Sequence, residues 1–152
     1  MIAVECYADE KLVRVLGVSK KEIRHERGKG RVLGKLKKEP RGTGVVDEDP
    51  DSAQPGEMRN YRKEEAGEGI LLLKHQDSPD KRLIMLCPSL EEWLYGRAKA
   101  VNINPVEFGL LKDARALHAS GRYDKGRGYE GFIQKLRERD KAMKRLEEWV
   151  NG

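Results

Sequence analysis

Asp47 and Asp49 stand two residues apart where a short apolar stretch, Thr43 to Val46, gives way to an acidic segment ending in Pro50. Side chains two apart in an extended segment project to the same side, so both carboxylates can reach one ion. Glu5 follows another short apolar run, Ile2 to Val4, and faces the pair if the first and third strands are neighbours. Clustered carboxylates repel one another, and a hard cation relieves that repulsion. Mg²⁺ takes a few oxygen ligands from protein and keeps waters or substrate phosphates for the rest; Mn²⁺ accepts similar donors. Glu5, Asp47 and Asp49 are therefore the expected Mg²⁺ (or Mn²⁺) ligands, with Asp9 and Glu91 as outer candidates. The competing explanation is that these acids cap turns or, for Glu92, complete a helix capping box with Ser89.

A second cluster is basic. Gly28-Lys29-Gly30 lies between a possible strand and a helix, flanked by Arg27 and Arg31. Glycines there allow close backbone approach, and a helix N-terminus offers free N–H groups to an anion. Arg27, Gly28, Lys29, Gly30 and Arg31 are thus the expected phosphate-binding segment, although an ordinary strand-to-helix turn has the same composition. No Walker loop and no Gly-x-Gly-x-x-Gly after the first strand occurs. His25, His75 and His118 are scattered, which speaks against zinc. Cys6 and Cys87 form no disulfide framework and read as small buried hydrophobes at strand ends.

The elements that must position these groups follow from periodicity. Ile2 to Cys6 is a first strand, and Asp9 is placed to cap a helix carrying Leu12, Val13 and Leu16. Glu22 to Glu26 reads as a short second strand, and Val32, Leu33 and Leu36 mark a second helix stopped by Pro40. Residues 48 to 69, with two prolines after Asp49 and three glycines, read as a long loop with a helical turn near Met58 to Arg62. Ile70 to Leu73 and Leu83 to Leu86 are continuous apolar runs, as in strands buried on both faces. Ser89 starts a third helix, Pro105 a fourth that carries Phe108 to Leu117, and a last helix spans about Tyr129 to Val150. Strand–helix–strand–helix–strand implies right-handed crossovers. The expected class is α/β, with a mostly parallel sheet, flanking helices and a helical C-terminal extension. The ligand end of such a sheet is the carboxyl end of its strands.

Charge supports this division. Charged residues make up 38% of the chain, against about 25% in an ordinary domain, so one modest core sits within a charged shell. Lys11 to Arg41 carries a balance of +9 and Asp47 to Glu68 one of −5, as suits a site that holds an anion with one segment and a cation with the other. No run approaches the roughly 18 apolar residues of a membrane span, and the start lacks a basic region ahead of a long apolar one. A single cytoplasmic domain with no membrane association is the expectation.

Val4-Glu5 closing a first strand, Asp9-Glu10 opening the next helix and Asp47-x-Asp49-Pro50 closing a later strand together resemble the Toprim domain of topoisomerases, bacterial primases and the overcoming-lysogenisation-defect nucleases. The basic Gly28 to Lys38 segment and the helix beginning Pro88-Ser89 look most like compact proteins related to the last group. The resemblance covers residues 1 to 95, with 96 to 152 as the helical extension. It implies that Glu5 acts as general acid/base, that Asp47 and Asp49 hold Mg²⁺, and that the substrate is a nucleic acid phosphodiester in DNA or RNA. The family has glycine directly after the glutamate; Cys6 stands there. A nuclease is the leading expectation, and a non-catalytic nucleic-acid-binding or interaction module with the same fold is the alternative. A receiver-like phosphotransfer protein fits less well, because its nucleophilic Asp would follow the first strand, where this chain has Glu5.

Overall fold

A computed structural model describes all 152 residues. In chain order it contains β1 (Ile2–Val4), α1 (Tyr7–Val15), β2 (Ile23–His25), α2 (Lys29–Lys38), β3 (Gly42–Asp47), β4 (Tyr61–Gly67), β5 (Ile70–His75) and β6 (Lys81–Leu86). Four helices follow: α3 (Leu90–Ala100), α4 (Ala114–Ala119), α5 (Arg127–Arg139) and α6 (Lys141–Asn151). The strands form one sheet in the order β2-β1-β3-β6-β5-β4. β1, β2, β3 and β6 run parallel, and β5 is antiparallel to both its neighbours. The class is α/β, with a mixed, mostly parallel sheet.

β1 has β2 on one side and β3 on the other, so the chain leaves β1 in one direction and returns past it in the other. Right-handed crossovers then put α1 and α2 on opposite faces. The core shows the same split. Ile2, Val4, Val45, Ile84 and Leu86 point into a 29-residue cluster shared with α1, α3, α5 and α6. Their alternate neighbours Ala3, Val46, Leu83 and Met85 point into a 9-residue cluster beneath α2. A Cβ on Gly44 would lie 2.8 Å from Val32 Cγ1, so glycine is what lets α2 lie close on β3. The two apolar runs, now β5 and β6, are buried as their composition predicts, β6 on both faces.

Three sequence expectations need correction. Residues 48 to 69 are not a single loop, because Tyr61–Gly67 forms the edge strand β4. It pairs with β5 through a two-residue turn in which Glu68 and Gly69 both have positive φ (48° and 80°), as a type I′ hairpin requires. Its outward charges suit an edge, where they discourage pairing with another chain. The helix expected from Pro105 is a 3-10 turn over Pro105–Phe108 followed separately by α4. The last helix is broken at Asp140, which is fully buried and accepts Met143 N–H to cap α6. Arg97 on α3 meets the same carboxylate through Nε (3.0 Å) and Nη2 (2.7 Å), so the charge is buried but paired. No helix is long and apolar enough to cross a membrane.

Candidate metal centre

The sheet order places the chain reversal between β1 and β3, and in open α/β sheets ligands bind beyond the strand ends at such a point. Val4 pairs with Val45, so Glu5 and Asp47 emerge side by side. Glu5 Oε1 accepts the Asp47 N–H at 2.9 Å. Asp47 Oδ1 in turn accepts the N–H of Leu90, the first residue of α3, at 3.0 Å. Each carboxylate is thus anchored through one oxygen, and the other oxygen has no protein donor. Both line a cavity of about 360 Å³ together with Asp9, Asp49, Gly28 and Glu91.

Asp9 is not the cap of α1. Cys6 occupies that position, and Asp9 lies in the first turn with only 1% of its surface exposed. Its Oδ2 accepts from the Cys6 thiol at 3.3 Å, while its Oδ1 is buried with no hydrogen-bond partner. A buried carboxylate oxygen without a partner is costly. Burial first, and then the charges of Asp47 and Glu5, push the Asp9 carboxyl well above the usual range. Burial and the neighbouring Glu5 and Glu91 push Asp47 up to about 7. Burial raises Glu5 as well, partly offset by its bond from Asp47 N–H and by the nearby Lys29 charge.

Asp49 reaches the cavity by a different route from the one its spacing suggests. β3 ends at Asp47, and Asp49 has a left-handed φ of 50°, so the two do not lie along one extended segment. The turn is fixed by Asp49 N–H bonding to Pro88 O at 2.9 Å. Glu91 is buried and its Oε1 lies 2.7 Å from His118 Nδ1; hydrogen bonding to Glu91 raises the His118 pKa. Cys6 is exposed and Cys87 half-buried, so neither is the buried hydrophobe expected from its strand-end position.

The basic segment is only partly as expected. Gly28, with φ of 110°, lines the acidic cavity at the N-terminus of α2. Lys29 does not point freely outward: its Nζ donates to Glu48 O (2.6 Å) and Gln54 Oε1 (2.8 Å), tying α2 to the loop after β3. Arg27, Gly30 and Arg31 lie outside the cavity lining; Arg27 and Arg31 are exposed beside it in sequence. Sequence reasoning missed His118, Arg122 and Tyr123, which the C-terminal segment brings to the cavity wall. For Arg122 and Tyr123 the only signal was the basic, glycine-rich composition from Gly121 to Gly128; for His118 there was none.

No three His, Cys, Asp or Glu side chains lie close enough together to hold a metal ion as they stand. Mg²⁺ takes few protein ligands and retains several waters. An all-oxygen donor set, an orphaned buried carboxylate oxygen and acids raised by burial and then by one another's charge fit a hard divalent cation. No family model matches the chain, and neither curated proteins nor solved structures give a match.

The raised carboxyls carry a pH signature. An acid whose pKa is higher folded than unfolded binds protons more tightly in the native state, so its stabilisation is complete below the unfolded pKa and is lost as pH rises through the folded one. With a chelator present, the Tm of wild type minus that of Asp47→Asn is expected to fall from about pH 4, the unfolded value, to about 7, and then level off. Thermal melts across that range check it. A flat difference would mean that Asp47 ionises as freely as in an unfolded chain.

Proposed function

We propose that the protein is a Mg²⁺-dependent, Toprim-like nuclease acting on nucleic acid phosphodiesters. The observation that carries this reading is the set of four carboxylates, Glu5, Asp9, Asp47 and Asp49, around one cavity at the β1–β3 strand ends, with a buried Asp9 oxygen that no protein donor satisfies. Asp47, Asp49 and Asp9 would hold the ion, with Glu91 at the outer edge because its Oε1 is engaged by His118. When bound, the cation polarises the scissile phosphate and stabilises the leaving oxygen. Glu5, raised by burial and kept in place by Asp47 N–H, exchanges the proton with the attacking or departing oxygen. Gly28 and the free N–H groups at the start of α2 receive a phosphate oxygen, and Arg27 and Arg31 contact backbone phosphates without reading sequence.

The test is cleavage of single-stranded DNA, duplex DNA and RNA with Mg²⁺ or Mn²⁺, against a chelator control. Metal-dependent cleavage of any of them supports the reading, and its absence from all three overturns it. One observation favours the second reading, a non-catalytic nucleic-acid-binding module: Cys6 stands where the Toprim family has glycine, and its thiol occupies Asp9 Oδ2.

Binding has its own signature. Arg27→Ala with Arg31→Ala is expected to weaken nucleic-acid binding to a similar degree across sequences. The slope of log K against log salt should flatten by about one unit for each phosphate no longer neutralised. Lys29 is left intact because removing it would release the Glu48–Gln54 loop. Fluorescence anisotropy at several salt concentrations checks this; an unchanged slope would move the binding surface elsewhere.

A further inference from the structure

A second cavity, of about 480 Å³, adjoins the acidic one and has the opposite charge. Its lining includes Lys11 and Arg14 from α1, Lys20 from the following turn, and Arg122 and Lys125 from the segment between α4 and α5. The acids on its wall are Glu10 and Asp124. Asp124 is engaged by Arg122, whose Nε and Nη2 lie 2.8 and 3.0 Å from its two oxygens. Lys11, Arg14, Lys20 and Lys125 form no ion pair. Unpaired cations gathered round a concavity are an anion site in search of a counterion.

The partition between the two cavities is aromatic. Tyr7, Arg122 and Asp124 line both. Tyr7 is 41% exposed, although it is a large side chain at the start of a helix that buries its other face. The Arg122 guanidinium carbon lies 3.8 Å from its ring centroid, and the His25 ring lies 4.1 Å from it at a tilt of 59°. Tyr7, covered on one side by the Arg122 guanidinium and flanked on the other by the tilted His25 ring, therefore stands between an acidic cavity and a basic one.

We infer that this aromatic partition and basic chamber form the binding track for a single-stranded nucleic acid segment: a phosphate next to the scissile one sits among Lys11, Arg14, Lys20 and Lys125, and a base stacks on the exposed Arg122 guanidinium, which the Tyr7 ring backs and holds flat. Single strands are held by this combination of a basic groove and aromatic platforms, because an unpaired base offers its face. In a duplex the bases stack on one another and their faces are covered. The inference deepens the nuclease reading by naming its substrate class, and it rests on that reading only for which phosphate is cut.

Binding measured in chelator, without turnover, separates the two. A short fluorescent DNA strand of mixed sequence is titrated alone and annealed to its complement. Tyr7→Leu is expected to weaken single-strand binding about tenfold, within the range for loss of one stacked base, and to leave duplex binding nearly unchanged. Tyr7→Phe, which keeps the ring, should bind as wild type does. Lys11→Ala with Arg14→Ala should flatten the single-strand salt slope by about 0.7 for each phosphate no longer neutralised. All of these positions are at least partly exposed, and thermal melts confirm folding. Equal losses on single strand and duplex, or no loss in Tyr7→Leu, would overturn the track. Failure of cleavage with these binding results intact would overturn the nuclease reading alone.

Discussion

Glu5→Gln is expected to slow phosphodiester cleavage by about 10²–10⁴-fold, the usual consequence of losing one positioned acid–base group. The substitution keeps the side chain's length, and the amide oxygen can still accept the Asp47 N–H that Glu5 Oε1 accepts at 2.9 Å. It removes the proton-accepting oxygen and one negative charge from a crowded cluster. Nucleic-acid binding in chelator should persist, because the basic groups lie on α1 and the turn after it, at the start of α2, and on the segment between α4 and α5. Single-turnover rates beside anisotropy make the distinction, and equal rates in variant and wild type would remove Glu5 from the chemistry. Should wild type itself be silent, Cys6→Gly is the informative variant. It takes away the thiol that donates to Asp9 Oδ2 and opens the backbone beside Glu5. Activity appearing there would locate the silence at Cys6, and continued inactivity would favour the binding module.

Mg²⁺ should raise the Tm of wild type, since a ligand bound only by the native state stabilises it by mass action, by about 2.7 kcal/mol at one hundred times Kd. For a chain of this size that corresponds to roughly 5–10 °C. Asp47→Asn with Asp49→Asn should abolish the rise. Without metal the double variant should melt above wild type near neutral pH, because the burial and like charges that push Asp47 up to about 7 no longer act on an ionised group. The substituted amide oxygen can still accept the Leu90 N–H at the start of α3, as Asp47 Oδ1 does. Differential scanning fluorimetry with and without Mg²⁺ suffices; an equal shift in both proteins would place the ion elsewhere.

The strands that position the site were legible because burial leaves a strong trace. β1 and β3 are short apolar runs ending abruptly in Glu5 and Asp47, and an acid straight after a buried strand marks the ligand end of the sheet; β6 is an apolar run that stops as sharply before Cys87 and Pro88. β4 was not legible. Its residues Arg62 to Ala66 are exposed, so an edge strand of charged residues shows no alternation to read. The break at Asp140 was hidden for the opposite reason. Phe132, Leu136, Met143 and Leu146 are all buried in the same core, and their spacing across Asp140 passes for one continuous stripe. Within the site, Asp9 looked like a helix cap because caps and buried acids favour the same residue at the start of a helix; only packing distinguishes them. His118, Arg122 and Tyr123 reach the cavity from more than a hundred residues after Glu5, a proximity that no local pattern encodes.

The packing around Asp9 also has a consequence for folding during synthesis. The core containing α1 draws on residues from Ile2 to Val150, and α1 is tied down by distant partners: Tyr129 Oη donates to Ala8 O, and Asn151 Nδ2 to Leu16 O. A chain leaving the ribosome N-terminus first exposes Glu5, Asp9 and Asp47 long before α5 and α6 exist to cover them, and domains assemble as units once their chain is available. In that interval Asp9 is expected to be hydrated, and its burial to be completed only as α5 docks and Tyr129 meets α1 at Ala8 O. The cation proposed above, if captured by the three acids beforehand, would ease that step and so act in assembly as well as in the proposed chemistry.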